Sequence, residues 1–82
     1  MIGNSFFFRT VTYHIVGKAV AICDDKFLKL ADASWVADSG RFSDAIKKGT
    51  LNEVEPVGEW YVNLDTVTDF GPWNYPLPDK QK

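Results

Sequence analysis

The sequence has one cysteine, one histidine and no apolar run of membrane-spanning length. Because a single cysteine cannot form an internal disulfide, Cys23 favours a reducing, cytoplasmic setting. A membrane-spanning helix needs about 20 consecutive apolar residues, and the apolar runs here are shorter. The first ten residues, MIGNSFFFRT, also lack the basic and long apolar segments of a secretory signal. We therefore expect a chain that does not associate with membranes.

Charge of one sign is not concentrated anywhere along the chain. Nine Lys and Arg residues face 11 Asp and Glu residues, which gives a net charge of −2. The cations occur singly or in pairs, such as Lys47-Lys48. A protein that grips a phosphate backbone normally shows a basic stripe. The sequence thus argues against nucleic acid as a partner.

Residue patterns for catalysis or metal binding are scarce. His14 and Cys23 show no ligand spacing with each other or with the dispersed carboxylates. The pair Asp24-Asp25 predicts a turn rather than an acid/base dyad, and the isolated glycines form no phosphate-binding loop. We therefore expect a non-enzymatic protein with no cofactor and no metal site.

Aromatic residues, in contrast, are abundant: three Trp, three Tyr and six Phe in 82 residues. A chain of this length forms one domain and buries a modest share of its surface, so large rings must supply much of its core. We expect one β-barrel-like domain over residues 1–75. The Pro-rich ending predicts a flexible C-terminal tail over residues 76–82.

Alternating apolar and polar residues predict a β-rich chain. The segments SFFFRTVTYHIV (5–16), KAVAIC (18–23) and FLKLAD (27–32) predict a three-stranded meander, with Gly17 and the turn DDK (24–26) between strands. The segment EVEPVG (53–58) predicts a connection, because Pro56 and Gly58 interrupt pairing. EWYVNL (59–64) then predicts a fourth strand. Asp65-Thr66 predicts a tight turn or one 3₁₀ turn before a last strand, residues 67–70.

One helix is predicted between the third and fourth strands. Asp38 and Ser39 are good N-cap residues, and Gly49 suits the position after a helix end. Between them, Phe42, Ala45 and Ile46 form one apolar stripe. Because so short a helix is unstable alone, we expect Phe42 and Ile46 to dock it onto the sheet.

These elements predict an α+β, mostly β fold: a small five-stranded SH3-like bent sheet or barrel with one short helix between strands 3 and 4. The segments GKAVAICDDKFLKLADA and EWYVNLDTVTDF resemble the hairpin and the strand, 3₁₀ turn, strand ending of SH3-like and Sm-like barrels. In Sm-like RNA binders the helix usually comes first, whereas here it follows strand 3. The resemblance therefore implies the barrel but not the RNA function.

Most of the chain also resembles a group of small phage and prophage proteins of unknown function. The residues that carry this resemblance are Arg9-Thr10, Leu30, Asp32-Ala33, Trp35, Ser43, Gly49 and Val62. The resemblance implies a phage-type origin, with the host cell cytoplasm as the location, but it implies no particular activity.

Trp35 is the leading candidate for a binding residue, because it occupies a predicted loop with polar neighbours. Either it covers the barrel by packing on Phe42, or it lies with Arg41 at the rim of a partner surface, where Trp and Arg are frequent anchors. Tyr13, Tyr61 and Trp73 join the candidate binding residues, because the aromatics exceed what one small core encloses. The alternatives are a tail that folds back over the barrel and rings that are exposed singly.

The function that we infer is a non-enzymatic, phage-type binding protein, with inhibition of a host or defence protein as its specific form. The partner is a host protein or a second copy of the chain. The alternative is a small-ligand, nucleotide-like binder or sponge that acts as an oligomer and holds its ligand between subunits.

Overall fold

The computed structural model describes residues 1–82 and contains five strands, one α-helix and one 3₁₀ turn. In chain order these are β1 (Ser5–Thr10), β2 (His14–Cys23), β3 (Phe27–Asp38), α1 (Phe42–Lys48), β4 (Glu53–Asn63), the 3₁₀ turn (Leu64–Thr66) and β5 (Val67–Pro72). The strands form one sheet in the order β4-β3-β2-β1-β5, with every neighbouring pair antiparallel. The predicted five-stranded bent sheet, with its helix between strands 3 and 4, is confirmed.

The first predicted strand, 5–16, is two strands joined by a tight hairpin at residues 11–13. Thr10 makes this turn: its hydroxyl accepts a hydrogen bond from the Tyr13 N–H at 3.0 Å and donates one to the Tyr13 carbonyl oxygen at 2.9 Å. A threonine hydroxyl can close a turn in this way without glycine or asparagine. The sequence did not predict this turn, because apolar and polar residues alternate without interruption across residues 5–16.

The third strand is longer than predicted and contains Trp35, which therefore lies in a strand and not in a loop. Asp32 adopts a left-handed conformation (φ 51°), and the pairing with β4 shifts register between Leu30 and Ala33. A bulge of this kind bends a strand without ending it. Gly17 lies inside β2 at this bend, where an added Cβ would be 3.2 Å from Ala33. It permits close approach of β2 and β3 instead of separating two strands.

The predicted connection over residues 53–58 is also part of a strand, β4. Pro56 lies within it, opposite Ser34 of β3. Proline is tolerated in a strand where its missing N–H faces away from the sheet, which requires an edge strand. The edge position of β4 therefore explains why the Pro56 signal did not end the strand.

Both faces of the sheet are apolar, because neighbouring residues on one strand point to opposite sides. The helix-side core contains Phe7, Val16, Val36, Ala45, Leu51, Val54 and Trp73. The strand-side core contains Phe8, Ile15, Ala19, Leu28, Leu30, Ala33 and Val62. The first core is covered by α1 and by residues after β5, whereas the second is closed by the partly buried Phe6, Val57, Leu64 and Val67.

Helix α1 docks mainly through Ala45, which is fully buried in the helix-side core, and through the partly buried Ile46. Phe42 remains more exposed than predicted, although its ring centre lies 5.8 Å from that of Phe7. The N-cap is Arg41, not Asp38 or Ser39; no side chain caps the helix. At seven residues α1 is short, and no helix in the structure combines the length and apolar character needed to cross a membrane.

The predicted helix end at Gly49 is confirmed, with φ 71° and its N–H donating to the Ala45 carbonyl oxygen at 2.9 Å. The tail returns over this end: the Tyr75 hydroxyl donates to the Ile46 carbonyl oxygen at 2.9 Å. Further on, the Lys82 N–H donates to the Val54 carbonyl oxygen at 3.0 Å. The tail thus has defined contacts, while its flexibility over residues 76–82 stays a prediction.

We predict that Gly49→Ala destabilises the protein more than Gly58→Ala. Both glycines have left-handed φ values, 71° and 75°, so each substitution costs about 1–2 kcal/mol of backbone strain. Of the two, only Gly49 lies where a new Cβ would clash with a neighbour, the Tyr75 ring. Urea unfolding followed by circular dichroism measures both losses. Equal losses would mean that Tyr75 does not pack against the helix end.

Candidate functional site

Three half-exposed rings form a continuous row on the surface. Tyr13 stacks on Trp35 with ring centres 5.9 Å apart, and Trp35 meets Trp60 edge to face at 5.6 Å. Their exposed fractions are 36%, 42% and 39%. We call Tyr13, Trp35 and Trp60 the aromatic row. It contains two of the five residues predicted from the sequence, and Trp60 is the member that the sequence analysis missed as a binding residue.

The row follows from strand pairing. Trp35 of β3 lies opposite Ile15 of β2, and Trp60 of β4 lies opposite Leu30 of β3. Ile15 and Leu30 belong to the strand-side core, and directly paired residues point to the same side of a sheet. The two tryptophans therefore project from the strand-side face, beyond the edge of that core. The alternation in EWYVNL separated Trp60 from Tyr61, but it could not show that Trp60 lies beside Trp35.

The alternative in which Trp35 packs on Phe42 is not what the structure shows. The Phe42 ring contacts Phe7, and the Arg9 guanidinium lies over it at 4.4 Å. Arg41 is exposed at the start of α1 and forms no ion pair, neither with Asp38 nor with Asp44. Trp35 is half-exposed and contacts Tyr13 and Trp60, and its role as a binding residue, with or without Arg41, stays a prediction.

Trp73 lies in the helix-side core and is 3% exposed, so the expectation of an exposed ring there is corrected. Its ring centre lies 5.9 Å from Phe7 and 5.2 Å from Tyr75, and its indole N–H donates to the Pro76 carbonyl oxygen at 3.4 Å. The tail folds back, which was the alternative to an exposed tail. Trp73 therefore stabilises the fold instead of offering a surface.

Tyr61 is exposed but faces away from the row, since it follows Trp60 directly in β4. It lies opposite Lys29 of β3, whose ammonium pairs with Glu59 at 3.3 Å. The hydrogen bond that Lys29 donates to Glu59 raises the pKa of Lys29, as does the charge of Glu59. Tyr61 therefore belongs to a separate, charged surface.

Carboxylates lie beside Trp35, the central ring of the aromatic row. Glu55 lies directly opposite Trp35, and Glu53 lies opposite Asp38 at the end of the same strand pair. The carboxylates of Glu53, Glu55 and Asp38 are exposed, and none of them forms an ion pair within the chain. Residues two apart on a strand generally share a face, so Glu53 and Glu55 lie on the same face of the sheet as the aromatic row.

A second polar cluster ties β1, β5 and α1 together. The Arg9 guanidinium binds both carboxylate oxygens of Asp69 while it covers Phe42. This hydrogen bonding raises the pKa of Arg9 and lowers the pKa of Asp69. His14 pairs with Arg9 across the strands and packs on Phe7 at 5.5 Å between ring centres. The cluster is structural, because every charged group in it has a partner or an aromatic neighbour.

His14 and Cys23 lie at opposite ends of β2, so the structure does not bring them together. No group of three or more His, Cys, Asp or Glu side chains is arranged to hold a metal ion. The chemistry that the exposed site offers is therefore aromatic contact and negative charge.

Comparison with known proteins finds similarity in structure alone. No protein-family model matches the chain, and no curated protein sequence does. A heptameric archaeal Sm protein, described for its implications for the eukaryotic snRNP core, is 19% identical with a TM-score of 0.63, over 88% of each chain. The P. aerophilum SmAP1 heptamer is 19% identical with a TM-score of 0.64, over 90% of this chain and 84% of the other.

The chain has the Sm-like fold. This confirms the barrel resemblance drawn from the two quoted segments, despite the late position of the helix. Neither similar structure is described as a phage protein, so the phage resemblance gains no support. The expectation against nucleic acid gains none either, since one neighbour is described in relation to a ribonucleoprotein core.

The Sm-like sheet of this chain is open, and β4 and β5 are its two edges. Each edge carries a half-exposed ring on the strand-side face: Trp60 on β4, and Phe70, 51% exposed, on β5. Phe70 lies opposite Phe8 of the strand-side core, and its ring also contacts Phe6 at 5.7 Å. The aromatic row thus ends at one edge of the sheet, while the other edge carries a ring of its own.

We predict that stability falls as the pH drops below about 6.5 and that His14 causes this. Burial, followed by the nearby Arg9 charge, lowers the pKa of His14. The unfolded chain therefore binds the proton more readily than the folded chain, and acid favours unfolding. His14→Gln should flatten the dependence of the free energy of unfolding on pH, measured by urea unfolding between about pH 8 and pH 5.

Asp69 acts in a different pH range. Its pKa is lowered in the folded chain, so its contribution is lost only in stronger acid, below about pH 4. Asp69→Asn is therefore the control: because the Asp69 charge raises the pKa of His14, its removal should keep or enlarge the change near neutral pH and not flatten it. An unchanged pH dependence in His14→Gln would contradict the assignment to His14.

Proposed function

We propose that this chain is a non-enzymatic binding protein that assembles with copies of itself through the two edges of its sheet. The observation that carries the proposal is a pair of open strand edges, β4 and β5, each with a half-exposed aromatic ring on the same face. Open, apolar edges are sites for pairing with another chain. Both similar structures are described as heptamers, which supports self-assembly as the use of these edges.

Only the second half of β4 is free to pair. The tail occupies the outer side of its first half, where Lys82 N–H donates to the Val54 carbonyl oxygen. Pro56 has no N–H to offer an incoming strand. What remains is residues 57–63, seven positions, against the six residues of β5. The two free edges are therefore similar in length.

The two edges are different surfaces, so their pairing is head-to-tail. An interface between unlike surfaces leaves each copy with one used and one unused edge, and it forms a closed ring when the rotation between copies closes. Pairing also brings the face with Trp60 beside the face with Phe70 of the next copy. We therefore propose a ring, in which partly exposed aromatic area at both edges is removed from water.

The remaining parts of the sequence-based function stay proposals. A phage-type origin, inhibition of a host or defence protein, and a cytoplasmic location are consistent with a small self-assembling binding protein, and no finding tests them. The alternative function, binding of a small ligand, also requires an oligomer, because the ligand pocket would lie between subunits.

We predict that Trp60→Lys and Phe70→Lys each abolish assembly. A lysine at the centre of an edge places an unpaired charge in the interface, a device that natural edge strands use against pairing. Ile22→Lys is the matched control: Ile22 is also 51% exposed but lies on β2, in the interior of the sheet order. Light scattering after gel filtration gives the mass of each variant, and circular dichroism shows that each is folded.

Mixing the variants tests the head-to-tail geometry. Trp60→Lys keeps an intact β5 and Phe70→Lys keeps an intact β4, so the equimolar mixture should form a dimer of one copy of each. A wild-type monomer at high concentration would overturn the assembly. Assembly that survives both substitutions would place the interface elsewhere on the surface.

A further inference from the structure

The carboxylates beside the aromatic row have no cation in their own chain. The three ion pairs of the structure, Arg9–Asp69, Lys29–Glu59 and Lys48–Asp44, involve other groups. Glu55 faces Trp35 across the strands, and Glu53 faces Asp38. Directly opposed like charges in a sheet oppose pairing. The fold therefore gains nothing from this arrangement, and a cation from outside the chain would complete it.

Arg9 shows how an arginine binds a ring and a carboxylate together in this structure. The Arg9 guanidinium lies 4.4 Å from the centre of the Phe42 ring and binds the Asp69 carboxylate with two nitrogens. The ring provides a face for the flat cation, and the carboxylate provides the two acceptors. At Trp35 and Glu55 the ring and the carboxylate are present side by side, and the arginine is missing.

We propose that the aromatic row, with Glu53 and Glu55, binds an arginine-bearing segment of a partner protein. The guanidinium packs against the exposed part of the Trp35 indole, between its contacts with Tyr13 and Trp60, and donates to the Glu55 carboxylate. Glu53 pairs with a second cation of the segment. Tryptophan is the ring that binds cations best. Arginine fits better than lysine because it stacks on a ring and pairs with a carboxylate at the same time. This names the partner chemistry of the proposed binding protein and rests on that function.

The residues substituted to test this surface, Trp35 and Glu55, do not lie on the free edges that form the proposed assembly. Trp35 and Tyr13 lie on β3 and before β2, away from the two edge strands, and Glu55 lies in the part of β4 whose outer side the tail occupies. Trp60, the third ring of the row, lies on the free part of β4 and belongs to the assembly edge. A partner segment bound at Trp35 and Glu55 is therefore compatible with a ring of copies. Binding by a monomeric variant separates the two proposals.

The test is titration of the protein with three short peptides of equal length, in which glycine alternates with arginine, lysine or glutamate. Tryptophan fluorescence reports binding at the row. We expect the arginine peptide to bind, the lysine peptide to bind several-fold more weakly, and the glutamate peptide not to bind. Trp35→Leu and Glu55→Gln should each weaken the arginine peptide about fivefold or more, and Trp35→Phe should retain part of the affinity.

Glu59→Gln is the matched control, since it removes the same charge from the same strand but beside Lys29 instead of the row. Equal weakening by Glu59→Gln and Glu55→Gln would overturn the site in favour of general charge attraction. Equal affinity for the lysine peptide would overturn the arginine preference. Binding of a single-stranded oligonucleotide that depends on Trp35, with no binding of the arginine peptide, would assign the row to nucleic acid instead.

A second copy of the chain is the other candidate occupant, through its exposed Arg41. If Glu55→Gln and Arg41→Gln both abolish self-association, the row binds another copy and the proposal is overturned. The same peptide titration on the Phe70→Lys variant completes the test. Retained affinity there supports the docking surface independently of assembly, even if the wild-type chain proves to be monomeric. Loss of affinity in a folded Phe70→Lys variant would overturn a surface confined to one chain.

Discussion

The structure depends on one constraint: a small sheet with apolar residues on both faces must have both faces covered. Phe7 and Phe8, adjacent on β1, are both buried, one in each core. A chain of this size cannot supply a second layer on each side, so the two faces are closed by different means. The helix and tail cover one, and the bulged strands curve over the other.

This arrangement covers both faces of the sheet but leaves its two edge strands uncovered. Complete closure would remove them, but the sheet ends at β4 and β5. The chain protects half of β4 with Pro56 and the Lys82 contact, and it leaves the rest beside Trp60. The tail, whose Tyr75 and Leu77 pack on the helix-side core, therefore also limits which part of the edge is available through Lys82. The path of the tail therefore determines both how the helix-side core is covered and how much of the β4 edge stays exposed.

Local signals were sufficient wherever the structure is decided locally. Gly49 ended the helix and residues 64–66 formed the 3₁₀ turn, because conformational preference alone decides both. Trp35 was misplaced because the continuation of β3 depends on Asp32 and on close approach to Gly17. Trp73 was predicted as exposed because its burial depends on the return path of the tail. Contacts between distant segments leave no periodicity in a sequence.

The binding surface that we propose for the row need not cost the free chain much stability. Glu55 is exposed, and exposed charges in water interact weakly, so leaving it unpaired beside Trp35 is tolerated. The same carboxylate also keeps an aromatic surface hydrated and opposes nonspecific association. A partner that covers the row removes water from both groups, and the attraction between a guanidinium and Glu55 then strengthens as the local dielectric falls. The interaction is thus weak where it would constrain folding and strong only in the complex.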